Sequence, residues 1–103
     1  MNAEREYYVY FIVNRKRAAI YTGMTGDLLG RTYTHRSDLV EGFTRRYGIH
    51  RLVYFERHGT PDSAIQREKR LKKWNRDWKV ELIERDNPRW DDLWWKIIEG
   101  GPG

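Results

Sequence analysis

The sequence predicts a small α+β domain built on a three-stranded, mainly antiparallel sheet that is flanked by helices. Two observations support this fold class. Three short segments are rich in β-branched and aromatic residues, and the first two are close enough to form a hairpin. The other segments begin with helix-capping residues or repeat apolar residues at helical spacing. The predicted order is therefore β-β-α-β-α, followed by one or two C-terminal helices.

The first two strands form the predicted hairpin. Residues 7–13, YYVYFIV, are apolar on both faces, which predicts a central position in the sheet. Residues 14–18 are polar and predict a loop. Residues 19–22 form a second strand that we expect to stop at Gly23, and residues 51–56 form the third strand.

The first helix is predicted to begin after Asp27, which can act as its N-cap, and to run to about Ser37. Gly30 lies inside this helix and costs about 1 kcal/mol relative to alanine. Contacts elsewhere in the fold therefore have to support the helix.

The later helices carry two cap-and-proline signals. Thr60-Pro61 begins a helix that runs to about Trp74, with threonine as N-cap and proline at the first helical position. Residues 78–85 are compatible with a short helix or with an irregular edge segment. Asn87-Pro88 is a second start signal and predicts a last helix. Its apolar residues at helical spacing are Leu93, Trp94, Ile97 and Ile98.

One domain over residues 1–103 is expected from the length, with a core over about 7–98 and a disordered tail at 99–103. The sequence has no cysteine, which excludes disulfides and thiolate metal sites. It has no apolar run long enough to cross a membrane and no secretory signal. We therefore expect a cytoplasmic protein without a membrane partner.

The positive charge is concentrated in one segment. The chain has 20 Lys and Arg against 15 Asp and Glu, a net charge of +5. Residues 67–79, REKRLKKWNRDWK, account for this excess. Such a cluster suits a nucleic-acid partner, although a solvated helix face has the same composition. The candidate phosphate-contacting residues are Arg45, Arg46, Arg70, Lys72, Lys73 and Arg76.

Glu68 is placed unusually for a carboxylate. It shares a helical stripe with Ala64 and Leu71, and Ile65 and Trp74 lie alongside, so this stripe is predicted to face the core. A buried carboxylate needs a partner. That partner is either an arginine in an ion pair or a divalent cation such as Mg²⁺, which is often held by one or two carboxylates plus phosphates.

Four other residues have both a structural and a chemical interpretation. Arg31 and His35 lie one turn apart on one helix face, either as solvated residues or as a phosphate-binding and proton-handling pair. Tyr10 and Tyr21 are ordinary strand residues by default. A phenol becomes a useful base only where cations lower its pKa from about 10.

The order of these residues resembles the GIY-YIG nuclease family. Tyr8-Val9-Tyr10 and Tyr21-Thr22-Gly23 stand where the family has its two name-giving triplets, and Arg31, His35 and Glu68 follow in the family's order. The chain looks closest to the small single-domain bacterial members. Its first triplet lacks the glycine and isoleucine of the family name, and Tyr8 is interpreted as a packing residue.

The resemblance implies an endonuclease that hydrolyses phosphodiester bonds with one Mg²⁺ or Mn²⁺ held by Glu68. It implies that Tyr10 activates a water molecule, directly or with His35 as relay. Tyr21 would orient the phosphate or that water, and Arg31 would neutralise charge on the phosphate oxygens. DNA is favoured over RNA as the partner.

Two alternatives stay open. Many family members have an asparagine about one turn after the glutamate helix, where this chain has Trp78-Lys79-Val80. This difference suits a nucleic-acid-binding module that cleaves weakly or not at all. The five tryptophans can stack on bases, but their helical spacing favours a core or a protein-interaction surface.

Overall fold

The structure is a computed structural model that describes residues 6–13, 19–36 and 51–100, except for the side chains of residues 34–36 and 98–100. It has the predicted α+β architecture. In chain order the elements are β1 (Tyr7–Val13), β2 (Ile20–Thr25), α1 (Leu28–Arg36), β3 (Arg51–His58), α2 (Pro61–Lys73), α3 (Arg76–Asp86) and α4 (Trp94–Gly100).

The three strands form one antiparallel sheet in the order β2-β1-β3, so β1 is central as predicted. The pairing of β1 with β3 shifts between Phe11, which pairs with Tyr54, and Ile12, which pairs with Leu52. Val53 is the additional residue of this bulge. Because the bulge changes the alternation of the strand, Val53 and Tyr54 both contact the same apolar cluster.

Helices cover both faces of the sheet. Alternate residues of β1 point to opposite faces, and both sets are apolar, so each face needs a covering layer. On one face, the odd-numbered residues of β1 pack against α2 and α3 in a cluster with Val9, Phe11, Val13, Ala64, Leu71, Leu82, Ile83 and Trp90. On the other face, the even-numbered residues pack against α1 and α4 in a cluster with Tyr8, Tyr10, Ile12, Leu28, Leu52 and Ile97.

The second strand is longer than predicted. Gly23 does not stop β2, which continues to Thr25, because Gly23 pairs with Tyr10 in the ladder with β1. The third strand also extends two residues beyond Glu56, to His58. In both strands, backbone pairing with β1 continues past the residues whose sequence favoured a strand.

The predicted N-caps of the first two helices are confirmed. The Asp27 carboxylate accepts a hydrogen bond of 3.1 Å from the backbone N–H of Gly30, so the helical glycine is part of the cap. The Thr60 hydroxyl accepts one of 3.2 Å from Ser63 N–H, and Pro61 follows it at the first position.

The C-terminal region differs from the prediction. Residues 76–86 form the regular helix α3, which has Asn75 as its N-cap. The Asn87-Pro88 signal is wrong as a helix start, because Asn87 is the C-cap of α3 and the last helix begins only at Trp94. The predicted tail overlaps α4 at residues 99 and 100, and residues 101–103 lie outside the described part of the chain.

The intervening loop is held to β3. Asn87 Nδ2 donates to the backbone oxygens of Val53 and Asp91, at 3.1 and 3.0 Å, and its Oδ1 accepts from Asp91 N–H at 2.9 Å. Trp90, fully buried in the same loop, has a left-handed backbone with φ of 58°. Among the helices that the structure describes, none is long and apolar enough to pass through a bilayer.

Candidate active site

The two tyrosines of the triplets lie together on the α1 face of the hairpin. Tyr10 is almost fully buried, and its ring centroid is 6.4 Å from that of Tyr21 on the edge strand β2. The tip of the Tyr10 ring lies across Gly23. A Cβ atom there would be 2.5 Å from Tyr10 Cζ, so only glycine leaves space for the phenol.

Arg31 reaches this pair from α1. Its Nε–H donates a 3.4 Å hydrogen bond to the Tyr10 hydroxyl. The helix is held against the sheet by Leu28, which is buried in the cluster with Tyr10, while the buried Thr32 hydroxyl donates to the Leu28 carbonyl within the helix at 2.7 Å. The pKa of Arg31 is raised, chiefly by the hydrogen bond to Tyr10 and further by Tyr21, so the guanidinium interacts with both phenols.

Burial raises the pKa of Tyr10 above its ordinary value, and the hydrogen bond with Arg31 opposes this only in part. The nearby Tyr21 and the negative charge of Glu68 raise the pKa further. In the protein alone, the Tyr10 phenol is therefore protonated at neutral pH. Tyr10, Tyr21 and Arg31, from β1, β2 and α1, are thus neighbours, and the charge of Glu68 reaches Tyr10 from α2.

Glu68 has an ion-pair partner. Its carboxylate, 21% exposed, lies 3.1 Å from the ammonium group of Lys72 one turn later on α2. Of the predicted core-facing neighbours, Ala64 and Leu71 are fully buried, but Ile65 is 39% exposed and lies outside the core. In the protein without ligand, Glu68 therefore forms the ion pair that was one of its two predicted interactions. Its partner is a lysine rather than an arginine.

The remaining predicted site residues fall into two groups. Arg70, Lys72, Lys73 and Arg76 are exposed around the junction of α2 and α3. His35 lies one turn after Arg31 on α1, with a side chain outside the described part of the structure, and Arg45 and Arg46 lie outside it entirely. Tyr8 packs as expected: it is buried, it meets Phe55 edge to face, and its hydroxyl donates to Glu6 at 2.8 Å.

A second polar cluster, which the sequence did not predict, joins β3 to α2. The Glu56 carboxylate accepts two hydrogen bonds from Arg67 Nε, at 2.9 and 3.2 Å, and one from the Tyr54 hydroxyl. His58 Nε2 lies 2.6 Å from the same carboxylate, and its Nδ1 lies 2.5 Å from the Ser63 hydroxyl. The sequence contains one indication of this cluster: Tyr54, Glu56 and His58 stand at every second position of β3, which places their side chains on one face of the strand.

The Glu56 cluster shifts the pKa values of its members. Burial alone would raise the pKa of the Glu56 carboxyl, but hydrogen bonds from Tyr54, His58 and Arg67 outweigh burial and lower it. The pKa of Tyr54 is raised, first by burial and then by its hydrogen bond to Glu56. Because Arg67 directly precedes Glu68 on α2, this cluster also fixes the helix that carries Glu68.

The two asparagines near the position of the family asparagine both have structural partners. Asn75 caps α3 by accepting from Trp78 N–H at 2.9 Å. Asn87 is buried and bonded to the Asp91 backbone and to β3. Neither side chain belongs to the group formed by Tyr10, Tyr21, Arg31 and Glu68 in the contacts described above.

The chain matches the model of the GIY-YIG catalytic domain over residues 6–81. It is 38% identical to a UPF0213 protein of Clostridium perfringens over 76 residues, 74% of this chain and 81% of that protein. It is 32% identical to a UPF0213 protein of Bacillus pumilus over 81 residues, 79% of this chain and 83% of that protein.

A solved structure is also similar. The solution NMR structure of a UPF0213 protein from Bacillus halodurans is 27% identical in sequence, with a TM-score of 0.54. The similarity covers 85% of this chain and 93% of that one. Together with the match over residues 6–81, this confirms the resemblance: the chain belongs to the GIY-YIG family and is similar to its small single-domain bacterial proteins.

Proposed function

We propose that the protein is an endonuclease that hydrolyses phosphodiester bonds of nucleic acid, DNA above all, with one Mg²⁺ or Mn²⁺. GIY-YIG proteins are generally nucleases, and this chain is a member of the family. The observation that supports the proposal most is the convergence of Tyr10, Tyr21, Arg31 and Glu68, which come from four separate elements. The proposed enzyme is a single-domain cytoplasmic protein.

The proposed roles follow from the chemistry of the side chains. Arg31 has several N–H donors, of which Nε faces Tyr10, and its other donors suit the oxygens of a phosphate. Tyr21 orients the phosphate or the attacking water. Tyr10 takes a proton from that water, directly or through His35 one turn beyond Arg31.

The Tyr10 role needs positive charge in the site. Burial keeps the phenol protonated in the protein alone, because it raises the pKa. Arg31 already opposes that effect, and neutralising the carboxylate of Glu68 removes a further contribution that raises the pKa. Tyr10 therefore becomes a base only when the site is loaded.

Glu68 fits a divalent cation of the Mg²⁺ type. Within the described ranges of the chain, no group of three His, Cys, Asp or Glu side chains is placed to hold a metal ion. Mg²⁺ needs fewer protein ligands, since it keeps water and binds substrate phosphates. When bound, the ion would supply positive charge beside the phosphate and the leaving oxygen. The ammonium group of Lys72 is 56% exposed and can move away from Glu68, and exposed pairs of this helical spacing contribute only about 0.3–0.5 kcal/mol.

Nicking of a supercoiled plasmid, with and without Mg²⁺ or Mn²⁺, tests the proposal. We expect Glu68→Gln and Tyr10→Phe each to lower the rate by on the order of 100-fold or more. The matched controls are Asp62→Asn, an exposed acid on the same helix, and Tyr33→Phe, an exposed tyrosine on α1. Wild-type rates in both the Glu68 and Tyr10 variants would contradict the proposal.

A second candidate is a nucleic-acid-binding module with little or no cleavage. It is favoured by the Glu68–Lys72 ion pair and by the structural use of Asn75 and Asn87. The same assay separates the two functions, because this module would bind the plasmid in a salt-sensitive manner and leave it intact with either metal.

A further inference from the structure

We propose that the groove beside Trp78 binds an unpaired nucleobase, so that the protein recognises nucleic acid with a single-stranded segment next to the cleaved bond. The inference rests on the proposed function and names its substrate class. We define the Trp78 groove by the residues that line it, Trp74, Trp78, Glu81, Leu82 and Arg85, which enclose about 240 Å³.

The groove presents one exposed aromatic ring, Trp78, beside Trp74, which packs against the core. Trp74 stands at the C-cap of α2, with the Arg67 guanidinium 5.4 Å from its ring centroid. Trp78, on the first turn of α3, meets Trp74 edge to face at 5.7 Å and 88° and is 54% exposed. The edge-to-face contact fixes the orientation of the Trp78 ring. Stacking on such a fixed ring contributes about 1–3 kcal/mol per base, whatever the base.

The charges near the groove select an anionic ligand. Lys79 follows Trp78, and its pKa is lowered by burial and by the positive charge of Lys72. The Arg85 guanidinium lines the groove itself, and Lys72 and Lys73 are exposed on α2 just before Trp74. Lys72 in turn contacts Glu68 at 3.1 Å. Basic residues of α2 therefore lie between Glu68 and Trp74 along the chain.

The second exposed tryptophan pair of the described residues provides a comparison. Trp95 on α4 is 53% exposed and meets Trp94 edge to face at 5.0 Å and 85°, nearly the same arrangement as Trp78 with Trp74. The cavity beside Trp95, however, is lined by three acids, Asp86, Asp91 and Asp92, and by only two bases, Arg89 and Lys96, whereas Glu81 and Arg85 balance each other in the Trp78 groove. The lining at Trp95 is thus net negative, whereas Trp78 lies within the basic segment 67–79, so a nucleic-acid backbone suits Trp78 better than Trp95.

The ligand has to be unpaired for a geometric reason. Inside a duplex both faces of each base are covered by its neighbours, so a base must leave the stack before it can stack on Trp78. The walls of the Trp78 groove also offer polar groups at its rim, the Glu81 carboxylate and the Arg85 guanidinium. A base in a single-stranded segment has a free face for Trp78 and free polar edges for the groups at the rim. It binds without the cost of unstacking a duplex.

Binding is tested separately from cleavage, with the Glu68→Gln protein in a metal chelator and a dye-labelled oligothymidylate or a duplex as probe. We expect fluorescence anisotropy to show tighter binding of the single strand. Adding Trp78→Ala should weaken single-strand binding by about 5- to 150-fold, which corresponds to the loss of one stacked base. Trp78→Phe should keep most of the affinity, and Trp95→Ala should leave it unchanged. Lys79→Ala should lower the salt slope by about 0.7, the value for one phosphate contact.

Several results would overturn the inference. They are single-strand affinity unchanged in Trp78→Ala, an equal loss for the duplex, or an equal effect of Trp95→Ala. A dimer that Trp78→Ala separates, measured by light scattering, would show instead that a second copy covers the groove. The outcome is independent of the proposed activity: a protein that binds single strands through Trp78 but never nicks a plasmid would contradict only the proposed function.

Discussion

The phenol ring of Tyr10 lies across the backbone of Gly23, the residue that pairs with it on the neighbouring strand. This contact gives the glycine of the second triplet a physical reason. A side chain at position 23 would occupy the space of the Tyr10 ring, so the two triplets are coupled by packing before any chemistry is considered. The same contact places the Tyr10 hydroxyl over the edge strand, where Arg31 reaches it.

Gly23→Ala is therefore expected to displace Tyr10 and to destabilise the protein by about 1–3 kcal/mol, the usual cost of overpacking a core. Urea unfolding measures the change in the free energy of unfolding. Gly26→Ala is the matched control, because its Cβ would make an ordinary contact of 3.6 Å with Tyr7. Equal stability of the two variants would contradict the assigned contact.

Tyr10 also predicts how the proposed activity depends on pH. Because its pKa is raised by burial, the fraction of phenolate at neutral pH is small and grows roughly tenfold per pH unit. The nicking rate should rise across the neutral to alkaline range, and the residual rate of Tyr10→Phe should lose this rise. Arg31→Gln should shift the rise to higher pH, since it removes the interaction that lowers the pKa. A flat profile for the wild type would exclude Tyr10 as the base.

The sequence predicted the fold well where one local signal determined one element. β1 is apolar throughout and is buried from Tyr8 to Val13, and α2 begins at the Thr60-Pro61 signal. The errors arose where one signal has two meanings. Glycine ends many strands, but Gly23 sits inside one; an Asn-Pro pair can begin a helix or follow one, and Asn87 follows one.

For the candidate site, too, some features could be predicted from the sequence and others could not. The order of Tyr10, Tyr21, Arg31 and Glu68 along the chain was readable, because each lies on an element with a clear pattern. The partner of Glu68 could not be predicted, because the spacing of residues along α2 does not decide whether an arginine, Lys72 or a metal ion neutralises the carboxylate. The Glu56 cluster was missed because its hydrogen bonds join β3 to α2 through side chains.

Glu56→Gln tests that cluster through its dependence on pH. The carboxylate has a lowered pKa in the folded protein, so its contribution to stability is complete above the ordinary glutamate pKa of about 4.3. That contribution is lost as the pH falls through the lowered value. We expect Glu56→Gln to cost about 1.5–3 kcal/mol at neutral pH, the value of hydrogen bonds to a charged group, and less in acid.

Thermal or urea unfolding of wild type and Glu56→Gln from neutral pH to about pH 3 measures this difference. The control is Glu81→Gln, an exposed glutamate on α3. A difference between wild type and Glu56→Gln that stays constant with pH would show that shape, rather than the charge of Glu56, stabilises the contact with Arg67.

Asn87 gives the last prediction, which decides between a structural and a catalytic asparagine. The bulge in β3 leaves the backbone of Val53 outside the regular ladder, and the Asn87 amide donates to its carbonyl at 3.1 Å. Asn87→Ala should therefore cost about 1–3 kcal/mol by leaving the buried Val53 carbonyl and the partly buried backbone groups of Asp91 without this partner. Asn87→Asp should not restore the stability, because a carboxylate can accept from Asp91 N–H but cannot donate to the two carbonyl oxygens.

Urea unfolding and plasmid nicking at a temperature where both Asn87 variants are folded separate the two roles. A structural Asn87 lowers stability and leaves the rate of the folded protein within a few-fold of wild type. Full stability with a selective loss of nicking would show instead that Asn87 takes the place of the family asparagine, which is not found at residues 78–80.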